Sequence, residues 1–421
     1  MTAERRLEGD LPPIVVIGAG IVGVAVALSL LRAGRAVTLL ERDEPGRGTS
    51  FGNGAIVSEE SVVPMATPGI LAKVPGMLLD PLGPLAIRWS YLPRLAPWLW
   101  RFVAASRPER VEQISIALAA LVKGSIAAYE PLLEMAGARD MIRRTGWLCL
   151  YESEAGFESG RAMLELQRRR GVEFTEIPAE EIRQFEPELA PIFVRAVHYP
   201  RVAYTLDNFR LVQILAEAFQ RNGGRLVTGE ARGFELGPEG PRGVVTGGQT
   251  LPAGQVVIAA GAWSRPLVRQ LGSDLPLDTE RGYHIQLPDP GVAPRIPLYS
   301  TERAFVMTPL STGLRLAGTV ELGGLEAPPN WQRAALLLKH AKRWLPQIDE
   351  AGATRWMGFR PSMPDSLPVI SRSPRYPNAF FAFGHGHCGL MLAARTGEIV
   401  AALADGGEPG IDVTPFRADR F

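Results

Sequence analysis

The first forty residues carry a hydrophobic pattern that organises the rest of the chain. Four consecutive apolar residues, Ile14–Ile17, predict a buried strand, and the apolar positions that follow up to Leu31 predict a helix. Gly34 is a helix-ending signal, and the mostly apolar run Val37–Leu40 predicts a second strand. This order of strand, helix and strand is typical of a parallel α/β sheet.

Three glycines connect the first strand to the helix. Gly18 permits the tight turn, Gly20 lets backbone N–H groups approach a pyrophosphate, and Gly23 lets helix and strand pack closely. Glu41 follows 23 positions after Gly18, where a carboxylate can accept hydrogen bonds from ribose hydroxyls. The helix N-terminus favours phosphate. The pattern therefore predicts a dinucleotide site, FAD or a nicotinamide cofactor, formed by Gly18, Gly20, Ile21, Val22, Gly23 and Glu41.

Later segments repeat this logic and define the predicted fold class. The apolar run ending at Gly261 and the run before Gly384 each predict a strand that meets a glycine turn, whereas residues 275–350 show the alternation of antiparallel strands. We expect an α/β and α+β protein with a discontinuous Rossmann-like nucleotide domain at residues 1–70, 201–273 and 353–421. Residues 71–200 and 274–352 are expected to form a second, antiparallel-sheet substrate domain.

Composition excludes several other functions. The chain has 421 residues and a formal net charge of +1, so it has no basic surface for nucleic acid. Cys149 and Cys388 are far apart and form neither a disulfide framework nor a metal-ligand spacing, and we predict no metal. No run of about 18 apolar residues predicts a membrane span. A cytoplasmic protein is expected.

The insert at residues 63–107 has two interpretations. It contains three tryptophans, Trp89, Trp98 and Trp100, many prolines and few acids. As an amphipathic surface, it would contact the inner face of the cell membrane peripherally. Alternatively, it packs over the substrate pocket as ordinary core. The cations that would meet lipid headgroups are Lys73, Arg88, Arg94 and Arg101.

The motifs taken together resemble the FAD-dependent amino-acid oxidoreductases, a family that includes D-amino-acid oxidase, glycine oxidase, sarcosine oxidase and the bacterial D-amino-acid dehydrogenases. Besides GAGIVG with Glu41, the resemblance rests on GTSFGNGAIVS at 48–58, VVIAAGAWS at 256–264, ERGYHIQL at 280–287, GFRPSMPDSLPVI at 358–370 and GHGHCGLMLAARTG at 384–397. The chain is most similar to the dehydrogenases, and two motifs resemble those associated with hydroxyproline breakdown.

The resemblance implies site residues and a cofactor. Arg360 would bind the substrate carboxylate, Tyr283 and His284 would face the flavin from the second domain, and His387 would lie in the turn at the flavin. FAD would be non-covalent, because Ser362 and Met363 stand where sarcosine oxidases carry the flavin-linking cysteine. The further cofactor-binding positions are Arg42, Ser50, Asn53, Gly54, Gly261, Trp263, Gly358, Arg360, Gly384, His385, Gly386, His387, Cys388 and Gly389.

The resemblance also implies a reaction. A D-amino acid, such as D-hydroxyproline, would be oxidised by hydride transfer from Cα to flavin N5, and the electrons would pass to a quinone or another acceptor. Two alternatives stay open. One is an oxygen-using amine oxidase of the glycine or sarcosine type, and the other is a non-catalytic flavin subunit of an electron-transfer complex.

Overall fold

The computed structural model describes residues 13–69, 76, 79–80 and 82–421; residues 1–12 and Lys73 lie outside this part. Its strands are Ile14–Ile17 (β1), Val37–Glu41 (β2), Ile56–Ser58 (β3), Leu85–Ile87 (β4), Ile142–Arg144 (β5), Trp147–Tyr151 (β6), Thr175–Pro178 (β7), Arg195–Tyr199 (β8), Val202–Thr205 (β9), Arg225–Thr228 (β10), Gly233–Gly237 (β11), Gly240–Val245 (β12), Thr250–Pro252 (β13), Gln255–Ile258 (β14), Asp278–Leu287 (β15), Leu298–Ser300 (β16), Phe305–Leu310 (β17), Gly313–Leu322 (β18), Thr354–Ser362 (β19), Val369–Arg372 (β20) and Ala379–Phe383 (β21).

The α-helices of the described residues are Ile21–Arg32 (α1), Leu92–Ala105 (α2), Pro108–Val122 (α3), Ser125–Ala128 (α4), Glu130–Ala136 (α5), Glu154–Arg169 (α6), Ala179–Phe185 (α7), Asn208–Arg221 (α8), Ser264–Gln270 (α9), Trp331–Trp344 (α10) and Gly389–Ala404 (α11).

Strand β1 lies inside a six-stranded sheet. The spatial order is β10, β2, β1, β14, β21, β20, and every pair is parallel except β21 with β20. All four residues of β1 are buried. Helix α1 packs against α11, where Gly397 allows close approach: a Cβ there would lie 2.5 Å from Ser29 Oγ. The predicted parallel α/β sheet around the first strand is confirmed.

The second large sheet of the protein has nine strands. Its order is β19, β15, β18, β17, β16, β6, β8, β7, with β4 also paired to β18. The pairs are antiparallel except β16 with β6 and β18 with β4. This confirms the predicted second sheet. The domain boundaries stay a prediction, and β19 pairs with β15 here although its residues were expected in the nucleotide domain.

The insert is packed on one side and open on the other. In α2, Leu95, Trp98 and Phe102 face the core, and Trp98 Nε1 lies 3.4 Å from the Ser362 carbonyl oxygen. Trp89 and Trp100 are 62% and 78% exposed. The packing interpretation therefore holds for Trp98.

One helical stretch of the described residues, 108–136, is long and apolar enough to cross a membrane by length and composition. Half of its most apolar part is buried inside the protein, and this stretch comprises α3, α4 and α5 with a left-handed turn at Gly124 (φ +76°). Helices α3 and α4 pack against α11. The stretch is thus a packed part of the core.

Gly18 and Gly34 form a matched pair for testing the first turn. Both have positive φ, +102° and +79°, but a Cβ at Gly18 would lie 2.6 Å from the Ala259 carbonyl oxygen, whereas nothing lies within 4 Å at Gly34. Gly34→Ala should cost about 1–2 kcal/mol of backbone strain. Gly18→Ala should cost more, because its Cβ would also overlap the Ala259 carbonyl, and it should release the FAD that the resemblance implies. Thermal unfolding measures the stability of the purified variants, and their flavin absorbance measures the cofactor content. Equal stability with full flavin content in the two variants would show that the turn at Gly18 is not the crowded cofactor-binding turn.

Candidate active site

A cavity of about 870 Å³ runs along the C-terminal edge of the parallel sheet and continues over the nine-stranded sheet. This volume lies within the range of small-molecule and cofactor sites. One end is bordered by the glycine turn after β1 and by Glu41. The other end is bordered by Arg360 and by the turn at residues 385–389. Distant parts of the chain therefore share one site.

The first end is built from the β1 turn and the start of α1. Gly20 precedes the helix in an extended conformation, and the Ile21 N–H donates to Ser50 Oγ at 2.9 Å. Glu41 Oε2 accepts from the Ala19 N–H at 2.6 Å, which holds the carboxylate against the turn. The positive end of α1 and this carboxylate are the elements that bind the phosphates and ribose of a dinucleotide.

Arg42 and Trp263 form a wall beside this end. The Arg42 guanidinium carbon lies 4.1 Å from the centre of the Trp263 ring, a cation–π contact. Trp263 also meets Phe359 edge to face, with ring centres 5.7 Å apart. Gly261, which has φ +56°, starts the turn that presents Trp263 to the cavity.

The loop after Glu41 crosses the cavity with its backbone fixed at several points. Asn53 Oδ1 accepts from the Ala55 N–H at 2.9 Å, so this side chain stabilises its own turn. The Gly54 carbonyl accepts from Thr308 Oγ1 at 2.7 Å. Gly52 passes so close to Trp356 that a Cβ would lie 2.0 Å from the indole ring. Ser50, Asn53 and Gly54 all border the cavity, and their contact with a cofactor stays a prediction.

Arg360 supplies a cation at the second end. Its Nη1 donates to the Thr319 carbonyl oxygen at 2.9 Å, and the guanidinium lies over Gly282, where a Cβ would be 2.3 Å from Nη2. Among the described residues no carboxylate lies within ion-pair distance of it, although Glu280 is close enough to act on its pKa. Burial lowers the pKa of Arg360 and Glu280 opposes this, and the guanidinium stays charged.

Glu280 lies behind this guanidinium and is itself buried. It accepts from Ser362 Oγ at 2.6 Å. Burial raises the pKa of Glu280, while the Ser362 hydrogen bond and the Arg360 charge lower it. Glu280 and Ser362 therefore form a hydrogen-bonded pair beside Arg360. Among the described residues the guanidinium donates to the Thr319 carbonyl alone, so its other N–H groups can bind a ligand in the cavity.

The turn before α11 carries two histidines with different roles. His385 is buried and its Nε2 lies 2.9 Å from Thr396 Oγ1, whereas the His387 side chain is open to the cavity although protein surrounds it. Burial lowers the pKa of His385 to about 3 and, together with the Arg360 charge, that of His387 to about 4. Both rings are neutral at pH 7. Burial raises the pKa of Cys388 to about 12, so its thiol is not reactive as a thiolate.

Several predicted residues do not border the cavity. Tyr283 donates from its hydroxyl to Glu321 Oε2 and accepts from the Asn330 N–H at 2.9 Å, because its position in β15 points it to the opposite face of the sheet from Gly282. His284 is stacked on Trp356, with ring centres 5.1 Å apart, which separates it from the cavity. These placements correct the expectation that Tyr283 and His284 face the flavin.

Two predicted glycines also lie outside the lining and serve packing. A Cβ at Gly23 would lie 1.8 Å from the Gly18 carbonyl oxygen, which is the close helix–strand approach expected of the third glycine. A Cβ at Gly384 would lie 2.7 Å from Met363 Cγ. The remaining predicted residues that border the cavity are Gly18, Gly20, Ile21, Val22, Glu41, Arg42, Ser50, Asn53, Gly54, Gly261, Trp263, Gly358, Arg360, His385, Gly386, His387, Cys388 and Gly389.

Sequence reasoning missed Glu60, Glu280 and Trp356, which also border the cavity. Glu280 shares a strand face with Gly282 through the two-residue period of β15, so alternation alone could have indicated it. Trp356 stands two positions before Gly358, just outside the motif at 358–370 that contains Arg360. Glu60 carries only a weak signal, because it is the second of two acids that follow the short strand β3.

A dinucleotide turn at one end of a cavity and a half-buried arginine at the other define an oxidoreductase that holds an extended cofactor. Within that class, the chain belongs to the family described as FAD dependent oxidoreductase, which matches residues 13–403. The residues fit FAD, because the helix N-terminus, Glu41 and the continuous cavity are all present.

Relatives agree with this membership over nearly the whole chain. A D-amino-acid oxidase of Bradyrhizobium diazoefficiens is 41% identical, over 97% of this chain and 98% of the relative. A D-amino acid dehydrogenase 2 of Ralstonia nicotianae is 33% identical, over 97% of this chain and 100% of the relative. The solved glycine oxidase of Geobacillus kaustophilus shares the fold, with a TM-score of 0.74, 21% identity and coverage of 97% and 99%.

Proposed function

We propose that this protein is a D-amino-acid dehydrogenase that oxidises the Cα–N bond of its substrate. The observation that carries the proposal is Arg360, a half-buried cation that opens into the same cavity as the dinucleotide turn. The relatives named D-amino-acid oxidase and D-amino acid dehydrogenase support the D-amino-acid class. FAD supplies the two-electron oxidant when it is bound.

Arg360 binds the substrate carboxylate. One guanidinium nitrogen is held by the Thr319 carbonyl, so the side chain is oriented before the substrate arrives. The other N–H groups match the two oxygens of a carboxylate in the bidentate geometry that arginine provides. The carboxylate fixes one end of the substrate and thereby orients its Cα–H bond.

The turn at residues 385–389 and the start of α11 stabilise negative charge at this end of the cavity. Backbone N–H groups and the positive end of a 16-residue helix act on charge that develops during the reaction. His387, which is neutral at pH 7, can donate or accept a hydrogen bond there without adding a charge. The substrate amine loses its proton to water before the reaction, because neither His387 nor the hydrogen-bonded Glu280 is a strong base.

The electron acceptor distinguishes the proposed dehydrogenase from the alternative, an amine oxidase that uses oxygen. A quinone acceptor would suit an enzyme that touches a membrane, whereas oxygen would make it an amine oxidase of the glycine or sarcosine type. The names of the relatives include both an oxidase and dehydrogenases, so both acceptors belong in the test. D-Hydroxyproline belongs in the substrate panel because of the motif resemblance.

We further propose that the insert contacts the membrane through its exposed side. Trp89 and Trp100 are exposed together with Arg94 and Arg101, a combination that suits the headgroup region of anionic lipid. Arg88 does not join them, because it forms an ion pair with Glu321 at 2.5 Å. Quinones dissolve in the bilayer, so this contact would bring the enzyme to its acceptor.

Anaerobic mixing tests the reaction. D-Alanine, D-hydroxyproline and other D-amino acids should bleach the flavin absorbance, because the substrate reduces the bound cofactor, and L-enantiomers should do so far more slowly. If no amine bleaches the flavin, the enzyme proposal fails and the non-catalytic flavin subunit of an electron-transfer complex is the remaining hypothesis. If bleaching occurs, rapid peroxide formation on adding air identifies the oxidase, and reoxidation by a quinone analogue without peroxide identifies the dehydrogenase.

Arg360→Ala tests carboxylate binding. The KM for the best D-amino acid should rise about 100-fold, because truncating one partner of a buried charged pair costs about 2–5 kcal/mol. The flavin spectrum should stay unchanged, which shows that the variant still folds and binds FAD. Arg360→Lys keeps the charge without the fork and should show a smaller rise. A KM within twofold of wild type in both variants removes Arg360 from this role.

Co-sedimentation with vesicles of phosphatidylglycerol and phosphatidylethanolamine tests the membrane contact. The wild-type protein should sediment with lipid, and Trp100→Ser should reduce the bound fraction because it removes an exposed indole. Leu236→Ser is the matched control, since Leu236 is 44% exposed on β11, outside the insert. If the wild-type protein does not sediment with the vesicles, the membrane contact is wrong and the insert has only a packing role.

A further inference from the structure

The cavity contains a buried carboxyl group, that of Glu60, which has no role in the proposed reaction. Glu60 borders it together with Trp147, Cys149, Gln167, Tyr199 and Tyr299, which we call the Glu60 compartment. Hydrogen bonds connect its walls: the Tyr199 hydroxyl donates to Gln167 Oε1 at 2.9 Å, and Gln167 Nε2 donates to the Glu60 carbonyl oxygen at 3.1 Å. The side chains that line the compartment are therefore held in fixed positions.

The Glu60 carboxylate is only half satisfied. The side chain is buried, with 8% of the residue exposed. Its Oε1 accepts from Ser58 Oγ at 3.0 Å and from Ser61 Oγ at 3.2 Å. Within the described part of the chain, Oε2 has no hydrogen-bond donor and no cation lies within ion-pair distance of the carboxylate. Buried carboxylates in proteins are nearly always paired, so a ligand donor is the missing partner.

The surroundings favour a cation as that donor. Trp147 and Tyr299 are stacked with ring centres 4.8 Å apart, and Tyr199 meets Trp147 edge to face at 6.3 Å. Aromatic faces attract cations and are compatible with the methylene stem of a side chain. Burial raises the pKa of Glu60 to about 7 although the two serines oppose it. A neutral hydroxyl would satisfy Oε2 but leave the buried charge uncompensated, whereas an ammonium or guanidinium satisfies both.

The compartment and Arg360 are connected through Cys388. Glu60, Glu280, Arg360 and Cys388 all border the same cavity, and both carboxyl groups act to raise the pKa of the Cys388 thiol after the larger effect of burial. Glu280 is in turn beside Arg360. A substrate held by its carboxylate at Arg360 therefore has the Glu60 compartment available for the far end of its side chain.

We infer that the preferred substrates are D-amino acids whose side chains end in a cation, bound by Glu60 between the aromatic walls of its compartment. The inference deepens the proposed function and rests on it, since Arg360 must hold the carboxylate. It assigns Glu60 to substrate selection and separates that role from the reacting end of the cavity.

A comparison of D-lysine with D-norleucine tests this inference in the holoenzyme. The two substrates have the same chain length up to the terminal ammonium of lysine, so their ratio of kcat/KM isolates the cation. The wild-type enzyme should prefer D-lysine about 30-fold or more. Glu60→Gln keeps the shape and removes the charge, and it should reduce this ratio about 30-fold. Glu59→Gln is the matched control, because Glu59 pairs with Arg201 at 4.0 Å, and it should leave the ratio unchanged.

Opposite results separate the inference from the proposed function. If wild-type enzyme uses D-norleucine or D-hydroxyproline as well as D-lysine, or if Glu60→Gln retains the preference, the cation assignment fails while the dehydrogenase stands. If no D-amino acid bleaches the flavin anaerobically, both fail. The wild-type comparison needs no variant, so poor folding of Glu60→Gln leaves the test intact.

Discussion

The site depends on one close contact between backbone segments. The turn after β1 lies against the end of β14 so tightly that a Cβ at Gly18 would overlap the Ala259 carbonyl, and a Cβ at Gly23 would overlap the Gly18 carbonyl at the still shorter distance of 1.8 Å. Because no side chain fits there, α1 begins directly at the sheet edge with its N-terminus toward the cavity. The parallel pairing of β1 with β14 then brings Gly261 and Trp263 to the same edge.

Glycines also allow close packing at the other end of the cavity, where they leave space for large side chains instead of for backbone. Gly282 leaves the space in which the Arg360 guanidinium lies, and Gly52 and Gly358 leave the space for the Trp356 ring. Two large side chains can therefore lie flat against the sheet and the loop without lifting them apart. This close packing separates the buried Tyr283 and His284 from the cavity while Arg360 opens into it.

What could be predicted from the sequence follows the range of the interactions involved. The β1 turn is local, so Gly18, Gly20 and Glu41 were found from spacing and lie at the cavity. Arg360 was found only through a motif resemblance. Tyr283 was misplaced because residues next to each other in a strand face opposite sides, and the resemblance did not fix which side borders the site. Glu60 meets its compartment through strands far along the chain, so its position after β3 was too weak a local signal to reveal it.

The charges of the cavity favour a substrate with separated charges. At the Arg360 end of the cavity the guanidinium is cationic while His385, His387 and Cys388 are uncharged at pH 7, so a carboxylate there would meet one cation and no competing anion beyond the buried Glu280. Elsewhere in the same cavity, Glu60 is a buried acid without a cation partner among the described residues. A ligand with a negative end and a positive end can compensate both groups at once, and either charge alone would leave one buried group unpaired. Electrostatic complementarity of this kind selects among substrates more than it tightens binding to all of them.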